Sequence, residues 1–167
     1  EKLAEKAKYI TTQAKNDPVR YIHDEIGYNF RLTNIQAALG VAQLEKLPQF
    51  LDHKKTIYKK YFAGLKTVEG LEIAKTPSYA SNNHWLNILK INENSYGESR
   101  ESLMARLESN GIQSRPIWGL NHLQKPYRDC QNYKIETSTF QVSSSLCLPS
   151  SSNLETHQVK RIISVLD

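Results

Sequence analysis

Gly27-Tyr28-Asn29-Phe30-Arg31 brings a glycine, an amide and a guanidinium together within one short segment. Arginine offers a planar fork matched to phosphate oxygens, and Asn29 can donate from its amide. Thr33 and Gln36 follow at capping-box spacing, so a helix N-terminus adds positive potential beside Arg31. The chemistry spelled out is anion binding. A turn asparagine and a surface arginine is the plainer alternative that the local residues leave open.

A second group joins Arg115-Pro116-Ile117-Trp118 to His122-Leu123-Gln124-Lys125-Pro126-Tyr127, a strand arginine followed by ring side chains in a loop. Loops held by strands often carry binding groups, although Trp118 also suits a core and His122 a structural role. Asn82-Asn83-His84-Trp85 reads similarly, with His84 free to meet a polar ligand and Trp85 expected inside. His23-Asp24-Glu25 has the residue types of a metal or acid/base site, but no second cluster stands at ligand spacing, so no metal is expected. The chain has no glycine-rich phosphate loop, nucleophile elbow or Ser/His/Asp order. Local residues alone do not identify an enzyme.

The elements that must position these groups follow from periodicity. Residues 1–16 read as a short charged helix, broken by Asp17-Pro18 and followed by an aromatic and polar segment from Tyr21 to Arg31. A helix starts at Thr33, with Ile35, Ala38, Leu39, Ala42 and Leu47 as its apolar stripe. Pro48 ends it or opens the next, so the spacing predicts two helices joined nearly end to end as far as Gly70. Strands are expected at 71–73, 85–91 and 112–118, and a helix capped by Ser99 that stops at Asn110-Gly111. A helix near 137–144 and the turn Leu148-Pro149-Ser150 follow. Ser152 and Glu155 stand at capping-box spacing before a last helix carrying Val159, Ile162, Ile163 and Leu166. The fold class is α+β, with a small, mostly antiparallel sheet and packed helices after long linking helices.

Composition narrows the partners. Hydrophobic residues make up 39% and charged residues 23%, which is globular. The net charge of +5 is spread along the chain with acids interleaved, and Lys54-Lys55 with Lys59-Lys60 read as a solvated helix face, so no nucleic-acid partner is expected. A modest positive excess still suits a substrate that carries phosphates. No apolar run approaches the ~18 residues that cross a bilayer, and Glu1 to Lys6 hold no hydrophobic signal region. Cys130 and Cys147 stand in unrelated contexts, which points to a reducing cytoplasm. At 167 residues the chain fits one domain, or a small domain plus a piece of another, and it starts mid-element, as a cut product would.

The run from His23 through Gly27-Tyr28-Asn29-Phe30-Arg31-Leu32-Thr33-Asn34-Ile35-Gln36-Ala37-Ala38-Leu39-Gly40 to Leu47 closely resembles the DegT/DnrJ/StrS-type sugar aminotransferases. Arg115-Pro116-Ile117-Trp118, His122 to Tyr127 and Leu146-Cys147-Leu148-Pro149-Ser150 are similar to later landmarks of that family, in the same order. The resemblance implies a fold-type-I pyridoxal-phosphate enzyme, usually a cytoplasmic homodimer with shared active sites. Such enzymes move an amino group, commonly from glutamate, to a nucleotide-linked 4-keto sugar for bacterial surface glycans. A lysine holds the cofactor there as a Schiff base. By the family pattern that lysine precedes Glu1, so this chain alone is expected to be inactive.

What the resemblance leaves to this chain is the tail of the large domain and an active-site loop (1–32), linking helices (33–69) and the small C-terminal domain (70–167). It implies that Asn29 reaches the cofactor phosphate of a neighbouring subunit. Arg31, His84, Arg115, Trp118 and His122 would then meet the sugar nucleotide. The spacing from Trp118 to His122 resembles the branch acting on UDP-linked 4-keto-6-deoxy sugars. Two other readings stay open: a non-catalytic binding or dimerisation module of the same fold, and a sugar dehydratase with histidine in place of the lysine.

Overall fold

The computed structural model describes residues 1–17 and 19–167, so the proline of the predicted Asp17-Pro18 break lies outside the described residues. The chain divides into two compact units, Glu1–Leu47 and Pro48–Asp167.

In the first unit, α1 (Lys2–Thr11) ends before Asp17 is reached. The Thr11 hydroxyl donates back to the Ala7 carbonyl at 2.7 Å, and that of Thr12 to Lys8 at 2.8 Å. Gln13 and Ala14 then take left-handed φ of 73° and 48°, which a helix cannot continue. A hairpin that periodicity did not reveal follows, β1 (Lys15–Asp17) pairing antiparallel with β2 (Ile22–His23). The Asp17 carboxylate fastens its turn, accepting from the Val19 and Arg20 amides at 2.8 and 2.9 Å. These bonds, the Arg20 amide foremost, hold its carboxyl below the usual range.

Both units share α2 (Asn34–Gly64), which opens on the expected box: the Thr33 amide donates to Gln36 Oε1 at 2.9 Å, and the Gln36 amide to Thr33 Oγ1 at 3.3 Å. The two predicted helices are one helix with Pro48 inside it. Proline's fixed φ is helical; the ring costs one N–H and crowds the Leu44 carbonyl, and thirty other residues carry the helix through. The predicted stripe is exposed throughout, from Ile35 at 83% and Leu39 at 63% to Leu47 at 43%.

The second unit is built on an antiparallel sheet of β3 (Leu71–Ile73), β4 (Asn87–Ile91), β5 (Arg115–Pro116) and β6 (Ser145–Leu148), in the order β3-β4-β6-β5. Register pairs Leu71 with Ile91 and Asn87 with Leu148. Leu71, Ile73, Leu89, Ile91, Leu146 and Leu148 are buried together. Ile57, Tyr61 and Leu65 from the end of α2 join this core, as do Leu103 and Leu107 of α4 (Arg100–Ser109). So do Val159, Ile162 and Leu166 of α6 (Thr156–Leu166). The short α3 (Glu93–Tyr96) leads into α4, and α5 (Glu136–Ser143) into β6.

Ser99 caps α4 by accepting from the Ser102 amide, and Gly111 takes φ +69° beyond its end, as predicted. Three further expectations change. The strand over 112–118 contracts to Arg115–Pro116, because Pro116 has no N–H to donate. The strand over 85–91 starts only at Asn87, because His84 sits at φ +51°. The last helix is boxed by Glu155 and Gln158, not by Ser152 and Glu155: the Glu155 amide donates to Gln158 Oε1 at 2.8 Å.

Candidate functional site

The candidate residues fall into two groups, one in each unit. In the first, the 28–30 segment runs beside the end of α1. The Tyr28 amide donates to Ile10 O at 2.8 Å, Phe30 to Thr11 O at 3.1 Å, and Gln13 to Tyr28 O at 2.9 Å. Gly27 is needed for this approach, since a Cβ there would stand 2.3 Å from the Ala14 nitrogen. Thr12 bridges to Asn29 in antiparallel fashion, so alternate side chains point to opposite faces. Tyr28 and Phe30 stack at 5.3 Å with 9° between their planes. Asn29 alternates away from that pair, and both Asn29 and Arg31 are exposed and without a side-chain partner among the described residues. A stiff backbone therefore presents an amide and a guanidinium, both free to donate.

The neighbouring His23-Asp24-Glu25 triplet is occupied otherwise: His23 Nδ1 meets Gln13 O at 2.7 Å, Asp24 accepts from Asn16, and Glu25 pairs with Lys6. Its three side chains answer three separate partners.

In the second unit, Arg115 and Trp118 line a cavity of about 700 Å³ together with Lys54, Trp85, Gln158 and Arg161. Trp85, expected inside, is 61% exposed and stands with its ring centroid 5.7 Å from that of Trp118, tilted 38°. The hydroxyl of Ser150 donates to Trp85 O at 2.8 Å, with a longer arm to His84 O at 3.1 Å. Lys54 donates to the carbonyl of Ser150, and partial burial pushes its ammonium pKa down. Burial likewise raises the Cys147 thiol on the cavity wall.

His84 goes elsewhere. Its ring stacks on Tyr58 at 4.3 Å, lining a separate hollow with Lys55. Burial, then the charge of Lys55, lowers its pKa. His122 sits half-buried in a 3-10 turn, Asn121–Leu123, and does not line the cavity. Of the six candidates, the structure brings Arg115 and Trp118 to one cavity, leaves Asn29 and Arg31 exposed in the first unit, and sets the two histidines apart. Trp85 is the residue that sequence reasoning missed. No residue type signals its exposure, because the left-handed φ at His84 that precedes it is not written in the sequence.

The family model for the DegT/DnrJ/EryC1/StrS aminotransferases matches residues 1–167. This chain belongs to that family. Family members depend on pyridoxal phosphate, as the name of a relative states: EpsN of Bacillus subtilis (strain 168), named as a pyridoxal phosphate-dependent aminotransferase, is 35% identical over 99% of this chain and 43% of its own length. A GDP-perosamine synthase of Caulobacter vibrioides is 28% identical over 99% of this chain and 44% of its own length. The fold matches the aminotransferase TlmJ of Streptoalloteichus hindustanus with a TM-score of 0.78 at 21% identity, over 99% of this chain and 44% of that one. The DegT/DnrJ/EryC1/StrS chain described here therefore spans less than half the length of these relatives.

Proposed function

We propose that the chain is the C-terminal part of a pyridoxal-phosphate-dependent aminotransferase that moves an amino group, with glutamate as donor, to a nucleotide-linked 4-keto sugar for surface glycan synthesis. The family match over the whole chain supports the reaction class, and the printed names of relatives, GDP-perosamine synthase among them, support a nucleotide-sugar substrate. The protein would work in the cytoplasm as a homodimer. The two free cysteines and the absence, among the described residues, of a helix long and apolar enough to cross a membrane agree with that setting. Residues 1–32 would close the large domain, 33–69 link, and 70–167 form the small domain.

The observation that carries this reading is the Gly27–Arg31 segment, whose backbone is laced to α1 while Asn29 and Arg31 keep their donors free. This donor set fits a phosphate. In the proposed enzyme Asn29 donates to the cofactor phosphate of the neighbouring subunit, and Arg31 meets the phosphates of the sugar nucleotide. Arg115 and Trp118 meet the same substrate from the small domain. Bound pyridoxal phosphate supplies an electron sink for the carbon that bears the transferred nitrogen. The residues present bind and orient; the lysine that holds the cofactor and moves the proton lies outside 1–167.

The test is intact mass after incubation with pyridoxal phosphate and borohydride reduction, for the chain and for the full-length protein. One cofactor mass at a single lysine, in the full-length protein only, is expected. Stoichiometric labelling at one lysine of the short chain would place the catalytic residue here instead. Full-length Asn29→Ala should lose cofactor on dilution, and Arg31→Ala should raise KM for the sugar nucleotide. If both keep normal retention and kinetics, this assignment of the loop is wrong.

A further inference from the structure

Asn87 is an amide where β4 calls for an apolar side chain. It alternates onto the same buried face as Leu89 and Ile91 and stands opposite Leu148. It is 1% exposed, and neither its Nδ2 nor its Oδ1 has a hydrogen-bond partner among the described residues. His84, 8% exposed, leaves Nδ1 unpartnered as well. Buried polar groups are almost always satisfied, so two orphans at one place point to a partner from outside the chain. We propose that Asn87 and His84 belong to a binding site for a small carboxylate that carries a hydroxyl or amine, with Lys55 as its charged rim.

Asn87 lines a cavity of about 270 Å³ between β4, Tyr58 and the 74–82 segment. The hollow that holds His84 adjoins it, and the two share Tyr58, Thr76, Ala80 and Asn82 on their walls. The segment is held by its own bonds. The Ala80 amide donates to Pro77 O at 3.0 Å, and Asn82 Nδ2 to Thr76 Oγ1 at 3.3 Å. His84 takes the left-handed φ of 51°, a conformation that persists only where neighbours impose it. Here its amide donates to Asn82 Oδ1 at 2.8 Å and its ring lies on Tyr58, which keeps the imidazole in the hollow. A site set in place this way leaves little ordering for a ligand to impose.

Charge selects among polar ligands. No aspartate or glutamate lines either hollow, whereas Lys55 and Lys75 do. Lys75 has Glu72 at 3.4 Å, but Lys55 makes no hydrogen bond or ion pair among the described residues. A carboxylate answers these groups together: one oxygen accepts from Asn87 Nδ2, the other from His84 with its proton on Nδ1, and Lys55 offsets the charge. Asn87 Oδ1 then asks for a donor, which a hydroxyl or amine beside the carboxylate supplies. The carbon stem lies against Pro77, Ala80 and Ile88. The cavity falls below the ~300–1,000 Å³ of ordinary small-molecule sites, so its ligand is a few carbons long and is not a sugar nucleotide.

Binding here needs neither cofactor nor sugar nucleotide, so its test stands apart from the aminotransferase reading. Ala80, Leu86 and Ile88 place methyl groups on the cavity wall, where methyl NMR of the full-length protein reads them directly. Titration with lactate should move these signals saturably. Propionate, which lacks the hydroxyl, and lactamide, which lacks the charge, should each bind more weakly. Asn87→Leu, close in shape, should leave far-UV circular dichroism unchanged and weaken lactate roughly tenfold or more. Lys55→Ala, at an exposed position, should weaken lactate roughly two- to fivefold and lactamide not at all, a split that general loosening would not produce. Methyl signals that stay fixed throughout would show that the hollow holds only water and would overturn the site. Undiminished lactate affinity in a folded Asn87→Leu protein would overturn it too, by placing the ligand elsewhere. If Asn87→Leu does not fold, the Lys55→Ala split decides: equal effects on lactate and lactamide would count against the carboxylate.

Discussion

His84 shows how a single residue's conformation sets its chemistry. The candidate histidine was legible as a polar residue before a strand, but its direction was not, since a left-handed φ at a histidine has no sequence signature of the kind a glycine gives. Turned onto Tyr58 and largely buried, it is held neutral by desolvation, with Lys55 adding to the effect. Its folded pKa therefore lies below the ordinary 6.5. Protons then bind the unfolded chain more readily, so stability is full above about pH 6.5 and falls as pH drops from there through the folded pKa. Thermal melts of the full-length protein from pH 8 to 5 should show this loss, and His84→Gln should flatten that part of the profile. A slope unaltered by the substitution would assign the effect to other groups. Asn29 and Arg31 were easier to read, because a glycine, an amide and a guanidinium next to a capping box name both the groups and the element that holds them.

Elements with local causes were recovered well, and those made by pairing were not. Thr33-Gln36 and Ser99 mark helix starts by bonds made within three residues, and both stand as read. The β1–β2 hairpin and β6 depend on partners distant in sequence or on very short runs, which alternation cannot register. Pro48 misled the reading in a different way: it signals an end in isolation, but α2 continues because turns on both sides keep their hydrogen bonds. Since the proline is exposed and no ring packing is at stake, Pro48→Ala should restore a donor to the Leu44 carbonyl and stabilise the helix by up to about 3 kcal/mol. Amide exchange across residues 44–52 of the full-length protein would register slower opening. Faster exchange would show that the ring, not the missing bond, matters here.

The first unit leaves many large apolar side chains open to solvent. Ile26 and Ile35 are exposed above 80%, Phe30 and Leu32 above 70%, and Leu39 and Leu44 above 60%. All lie in the first unit, within the segment most characteristic of the family. The α+β class and the core of the second unit could be read from apolar spacing, but spacing gives only the existence of an apolar face and not what covers it. A chain spanning less than half the length of its relatives, with this face open, should aggregate when expressed alone. Light scattering on the isolated chain is the check, and a monodisperse sample with one cooperative melt would contradict it.

The two tryptophans of the chain are the same two that meet at 5.7 Å beside the cavity. Its indole emission is consequently a single-address signal: every photon excited at the red edge comes from one spot in the second unit. Fluorescence would watch that spot alone, blind to α1 and the Gly27–Arg31 segment, so a mismatch between emission and circular dichroism during unfolding would reveal the second unit melting at its own point, without any dye or label.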